Sequence, residues 1–155
     1  MYDKISPEAA WDAMGTGAAI YIDVRTSGEF ASGHPEGAYH VPLMDTDPQT
    51  GAPGFNQGFV AEIQALVANL EESKPESPPL IVIGCQMGGR SRQACELLAT
   101  QGVAHLADCS AGWGGQRDGY GRPMVAGWST LGLPSSSAPA DGHSWVDIKA
   151  LTDDK

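Results

Sequence analysis

The chain has 155 residues and a formal charge of -10, from nine Lys and Arg against nineteen Asp and Glu. That length suits one domain with a real core, and 41% hydrophobic with 18% charged residues is a globular composition, not a disordered one. The acidic balance argues against nucleic acid and anionic membrane surfaces as partners, though not against small anionic substrates, and the longest purely aliphatic run, Leu80–Ile83, is too short for a transmembrane helix.

Twenty glycines and eleven prolines predict many turns and long connections instead of a helical bundle. Met1–Met14 carries Asp3, Glu8 and Asp12 and lacks a basic region followed by an apolar one, so it does not read as a secretory signal, and a cytoplasmic location is the expectation. Cys85, Cys95 and Cys109 are an odd set without C-x-x-C, which predicts neither a disulfide framework nor a zinc site.

In chain order, Ser6-Pro7-Glu8 predicts a helix start: a favoured N-cap, a proline tolerated at the first helical position, and an acid at the positive dipole end. Trp11 and Met14 would face inward and Gly15 would stop the helix. Ala18–Val24 predicts a buried strand, Glu29–Ser32 a single helical turn, and Ala38–Val41 a short strand ended by Pro42. Asp45–Gly58 is turn chemistry throughout and predicts a long loop. From about Asn56, apolar residues from Phe59 to Leu70 recur at helical spacing, and Glu71–Pro79 then forms a solvated connector. Leu80–Gly84 is apolar on both faces, as in parallel strands covered by helices on each side. Ser91–Gln101 predicts a helix with Ala94, Cys95, Leu98 and Ala99 inward and Gly102 as its stop. Val103–Asp108 predicts another strand. The Gly-rich segment from Ala111 predicts ordered wrapping with one helical turn, Ser135–Gly142 a flexible link, and Ser144–Leu151 a last short helix. Alternating strands and helices imply an α/β domain with a mainly parallel sheet.

The informative run is Leu80–Ser91. A buried strand ends, Cys85 follows at its carboxyl end, and the loop Gln86-Met87-Gly88-Gly89-Arg90 leads into a helix starting at Ser91. Sites in open α/β sheets form at such strand ends. Backbone N–H groups of Gln86–Ser91 and the helix N-terminus would stabilise an anionic sulfur and make the nucleophile available at neutral pH. Gly88 and Gly89 would let the backbone curl around an anion, and Arg90 adds a full charge. The plain alternative is a buried, inert cysteine beside a tight turn.

C-x-x-G-x-R followed by Ser, between a strand and a helix, resembles the active-site loop of the single-domain rhodaneses, a family of sulfurtransferases. Tyr21–Arg25, Glu29-Phe30, Gly33-His34 and Gly37-Ala38 before Val41-Pro42-Leu43 resemble the family's amino-terminal signature, and Ala111-Gly112-Trp113 its closing region. The resemblance runs from about Ile5 to Pro134, with Pro35-Glu36 a small departure and with Asp45–Gly58 and the segment after Gly114 longer than in minimal members. It implies a rhodanese-like α/β fold with about five mainly parallel strands and helices on both faces. It divides the chain into a rhodanese-like domain over 1–134 and a C-terminal tail over 135–155 that carries the short helix.

The resemblance also implies a mechanism. The Cys85 thiolate would take the outer sulfur of an anionic donor such as thiosulfate, and a thiophilic acceptor, cyanide or a thiol, would remove it. Gln86, Met87, Gly88, Gly89, Arg90 and Ser91 would bind the substrate, with no metal or organic cofactor needed and no protein partner specified. A module that carries or senses the persulfide with little turnover is the competing reading. A cysteine phosphatase or arsenate reductase is disfavoured, because C-x-x-x-x-x-R is needed and Arg90 follows Cys85 after four residues and Arg92 after six.

Asp23 and Arg25 are expected to form a structural ion pair, and His34 to satisfy backbone groups at a turn. His34, His40, His105 and His143 show no metal-ligand spacing. Cys95, Cys109, Trp113 and Trp128 are expected to pack. All five arginines (Arg25, Arg90, Arg92, Arg117 and Arg122) fall in the family-like segments, which predicts one locally positive anion pocket at Cys85 on an acidic protein.

Overall fold

The computed structural model describes residues 2–73 and 76–153. Lys74 and Pro75 of the predicted connector, together with Met1, Asp154 and Lys155, lie outside the described residues. The chain runs β1 (Asp3–Lys4), α1 (Pro7–Gly15), β2 (Ala19–Asp23), α2 (Ser27–Ser32), β3 (His34–Pro35), β4 (Tyr39–His40), β5 (Met44–Thr46), β6 (Pro53–Phe55), α3 (Phe59–Ser73), β7 (Leu80–Gly84), α4 (Gly89–Thr100), β8 (Leu106–Cys109), β9 (Gln116–Arg117), β10 (Pro123–Val125), β11 (Ser135–Ser136) and α5 (Trp145–Thr152).

Five strands form the central sheet in the order β1-β8-β7-β2-β4, and every pairing is parallel. The double-sided apolar character of β7 follows from its central place. Ile81 and Ile83 face a layer that includes Ile63 and Leu66 of α3, Leu98 of α4 and Ile148 of α5. Val82 faces Ala10 of α1, Phe30 of α2 and Trp128. Helices therefore cover both faces of the expected α/β sheet. Among the described residues no helix is long and apolar enough to cross a membrane.

Caps set the helix starts. The Ser6 hydroxyl accepts from the Ala9 N–H at 3.1 Å, as its position before Pro7 predicts. The single turn expected at Glu29–Ser32 is instead a complete short helix from Ser27. Thr26 Oγ1 accepts the Glu29 N–H at 3.3 Å and Glu29 Oε1 accepts the Thr26 N–H at 3.1 Å, a reciprocal capping box. Helix α4 starts at Gly89, ahead of the predicted Ser91, because Gly88 at φ +103° turns the chain straight out of the loop.

Three connections differ from expectation. Most of Asp45–Gly58 belongs to an antiparallel hairpin that starts one residue earlier and pairs Met44 with Phe55 and Thr46 with Pro53. Its turn is closed by Asp47, whose carboxylate accepts the Gln49 N–H at 2.7 Å, and by Gly51 at φ +73°. The Gly-rich segment is ordered but holds the β9–β10 ribbon, with no helix among its described residues. The predicted flexible link is tied at both ends: Ser135 and Ser136 pair with Pro35 and His34, and the His143 carbonyl accepts the His40 N–H at 2.9 Å. Beyond it, the predicted last helix forms as α5 and buries Ile148 completely.

Candidate active site

Gly84 ends β7 with no side chain, because the Tyr21 hydroxyl from the neighbouring strand occupies the space a Cβ would take. Cys85 follows at the carboxyl edge of the sheet and is 1% exposed. Its Sγ accepts two backbone N–H bonds, from Gly88 at 3.1 Å and from Ser91 at 3.3 Å. Both donors belong to the turn that becomes the first residues of α4. The Gly88 conformation is imposed twice: its φ is +103°, and an added Cβ would meet the Ser110 carbonyl oxygen at 2.6 Å. The loop is pinned from below, where the Trp113 N–H donates to the Cys85 carbonyl at 2.8 Å and the Gly114 N–H to the Gln86 carbonyl at 3.0 Å.

The six predicted substrate-binding residues separate. Gly88 and Ser91 meet the sulfur through their backbones, and Gly89 opens α4. Met87 stands on the rim, 54% exposed. Gln86 turns its amide oxygen to Arg25 Nη1 at 3.2 Å. Arg90 forks onto Glu29, with Nη1–Oε1 at 2.6 Å and Nη2–Oε2 at 3.0 Å. That fork, helped by Thr26, pushes the Glu29 carboxyl down to about 2 against the opposing effect of burial, and it raises Arg90 in turn.

Arg25 is likewise committed. It binds Asp23 at 2.8 Å with both side chains 2% exposed, donates to the Gly33 carbonyl at 2.6 Å, and lies 5.1 Å over the Trp113 ring. The Asp23–Arg25 pair is thus the structural ion pair expected from sequence. Of the arginines expected to make the pocket positive, Arg25 and Arg90 each carry a carboxylate partner, Asp23 and Glu29, while Arg92 on α4 forms no ion pair among the described residues. The groups that bond the sulfur are backbone N–H dipoles.

The remaining candidates pack or cap. Burial pushes the Cys95 thiol up to about 12 and the Cys109 thiol up to about 11. His34 Nδ1 bonds the Phe30 carbonyl at 2.7 Å, His40 Nε2 the Arg25 carbonyl at 2.9 Å, and His143 Nδ1 the Gly37 carbonyl at 3.0 Å. Trp128 is fully buried edge-on against Tyr21 and Trp11. Arg117 bonds the Gly121 carbonyl and Arg122 pairs with Asp118, both within the β9–β10 ribbon. A cleft lined by Gln64, Val67, Ile81 and His105 opens at the amino ends of the strands, away from Cys85.

Sequence reading missed Glu29 as the partner of Arg90, although Thr26-x-x-Glu29 is a visible capping-box pattern. It also missed Gln116, whose side-chain amide donates to the Ser110 carbonyl beside Gly88, and Asp108, a carboxyl inside a strand with all four residues buried.

A sequence model of the rhodanese-like domain matches residues 6–115. The chain belongs to the rhodanese-like domain family. It is 33% identical over 119 residues to thiosulfate sulfurtransferase 16, a chloroplastic protein of Arabidopsis thaliana, covering 76% of this chain and 79% of that protein. It is 30% identical over 114 residues to thiosulfate sulfurtransferase GlpE of Haemophilus influenzae, covering 74% and 87%. Among solved structures, Rv0390 from M. tuberculosis shares the fold with a TM-score of 0.65 at 24% identity, over 89% of this chain and 100% of that one. With these relatives, the chain is an enzyme of the sulfurtransferase class.

Proposed function

We propose that this rhodanese-family enzyme moves a sulfane sulfur from a small donor such as thiosulfate to a thiophilic acceptor through a persulfide on Cys85. The observation that carries the reading is the pair of N–H bonds converging on Cys85 Sγ at the carboxyl end of β7. The Cys85 thiolate attacks the outer sulfur of thiosulfate, a new S–S bond forms, and sulfite leaves with the electron pair of the broken S–S bond. A thiolate or cyanide then attacks the outer sulfur of the persulfide and returns the Cys85 thiolate, a ping-pong cycle. The Gly88 and Ser91 N–H groups stabilise the negative Cys85 sulfur at the start of the first half-reaction and at the end of the second. Neither step needs a metal or an organic cofactor, because the sulfane sulfur is itself the electrophile.

The arrangement changes the part expected of Arg90. Paired with Glu29, its charge reaches a donor only as half of a neutral fork, so donor capture rests mainly on the loop backbone. The three unpaired cysteines are consistent with a reducing compartment such as the cytoplasm.

Intact-mass spectrometry after thiosulfate should show the gain of one sulfur, and cyanide should release thiocyanate. Cys85→Ala should abolish both; turnover in that variant would overturn the reading. Loading without turnover on several acceptors would favour a carrier or sensor.

A further inference from the structure

Helix α2 has six residues, too few to be stable through its own hydrogen bonds, so ties to other elements decide where it sits. Its first turn carries two such ties, to different elements. Glu29 reaches α4, where Arg90 forks onto its carboxylate at 2.6 and 3.0 Å. Ser27 reaches β5, where Asp45 Oδ1 accepts the Ser27 N–H at 3.1 Å and Asp45 Oδ2 accepts the Ser27 hydroxyl at 2.6 Å. The turn thus bridges the β5–β6 hairpin and the loop that holds Cys85.

Each joint of this bridge is tied. Thr26 and Glu29 lock the turn internally through their capping box, so Ser27 and Glu29 move as one piece. The Ser27 N–H is one of those that a helix start leaves without an intrahelical partner, and here a distant strand satisfies it. Asp45 is fixed in turn: it sits opposite Gly54 in the hairpin, and its Oδ1 also accepts the Thr46 N–H at 2.9 Å. At the foot of the hairpin the Asn56 N–H donates to the Leu43 carbonyl at 2.9 Å, and its side-chain amide donates to the Pro42 carbonyl and to Glu62 Oε1, both at 2.9 Å. Against the effect of burial, the bonds from Ser27 and Thr46 hold the Asp45 carboxyl below its ordinary pKa. It is therefore ionised at neutral pH, and both bonds from Ser27 are charge-assisted.

We propose that Asp45 is a positioning residue: by clamping Ser27 it holds the first turn of α2 where Glu29 engages Arg90, and so sets how much of the Arg90 charge an anionic donor meets. The clamp does not depend on sulfur chemistry, whereas its effect on the donor rests on the proposed transfer.

D45N and D45A separate the clamp from the charge, because both lose the same charge. Asn keeps Oδ1 for the Ser27 N–H and offers Nδ2 to Ser27 Oγ, so the clamp survives; Ala removes both bonds. The first measurement is the rate of rotation about the Arg90 Nε–Cζ bond, read by nitrogen-15 NMR at neutral pH, which the fork onto Glu29 slows. Rotation in D45A should be about fivefold faster than in D45N, a loosening equivalent to one ordinary hydrogen bond. Ser27→Ala keeps the carboxylate and loses the 2.6 Å bond, so it should speed rotation relative to wild type, and it decides the matter alone if D45A does not fold. Equal rates in D45A and D45N, or no change in S27A, overturn the proposal. The second measurement is the KM for thiosulfate, which should be several-fold lower in D45A than in D45N, and equal in the two once E29Q has removed the carboxylate. A difference that persists with E29Q overturns the route through Glu29. If the rotation rates differ as expected while thiosulfate never loads Cys85, the proposed sulfur transfer fails and the clamp stands. If thiosulfate loads and the rotation rates agree, the clamp fails and the transfer stands.

Discussion

Arg90 forks onto Glu29, and under the proposed function that contact tempers the charge an anionic donor would meet at the loop. Glu29→Gln removes the carboxylate while keeping a group able to accept from Thr26, so Arg90 would face the donor with its charge uncompensated. The KM for thiosulfate should fall several-fold, with little change for an uncharged persulfide donor; equal changes for both would mean that the fork does not face the donor. Arg90→Ala should do the reverse, because it leaves the Glu29 charge unpaired at the loop. The fork also contributes acid sensitivity. Glu29 lies at about 2 in the folded protein against an ordinary 4.5, so its contribution is fully present above 4.5 and is lost as pH falls toward 2. Both partners are partly exposed, at 27% and 33%, so solvent screens the effect. Urea unfolding midpoints of wild type and E29Q should therefore differ at neutral pH and converge in acid.

At the scale of elements, the turn from β7 into α4 holds the Cys85 sulfur through the Gly88 and Ser91 N–H groups. Its geometry depends on Gly88, which is confined both by φ and by the Ser110 carbonyl. Gly88→Ala should cost at least ~1 kcal/mol of stability and lower the rate of sulfur loading more than it lowers thermal stability alone would explain. Loading measured well below the melting temperature, against an equally destabilised core variant as control, separates the two. Much of this element can be read from residue order, since an apolar run, a cysteine, paired glycines and a helical pattern follow one another. The partners of its side chains cannot, because Glu29 and Gln116 reach it from distant parts of the chain. The same limit explains the β5–β6 hairpin: turn residues were visible in Asp45–Gly58, but short exposed strands such as Pro53-Gly54-Phe55 have no alternation or apolar run to mark them.

At the scale of the molecule, the sheet places Cys85 at one edge while the net charge of -10 surrounds it. With Arg25 and Arg90 both paired, the long-range field is expected to govern the approach of an anionic donor. The kcat/KM for thiosulfate should rise as salt screens the repulsion, and that for an uncharged donor should stay flat. A fall with salt would show that a local positive field prevails after all. The C-terminal helix belongs to the same body, since Ile148 is buried in the layer shared by α3 and β7. Ile148→Ala should cost about 2–5 kcal/mol in urea unfolding, as for a large buried side chain, whereas a loosely attached tail would lose almost nothing.

The sequence by itself determined the family, the parallel α/β architecture and the place of Cys85 at a strand end. Those features are written in local patterns: apolar runs, caps, and a motif whose residues are neighbours in the chain. Tertiary structure decided the electrostatics. It closed Arg25 on Asp23 and Arg90 on Glu29, so that two of the arginines expected to make the pocket positive carry partner carboxylates, and it brought the Gly88 and Ser91 N–H groups onto the Cys85 sulfur. These are contacts across strands and between elements, and spacing along a chain does not specify which charges will meet in space.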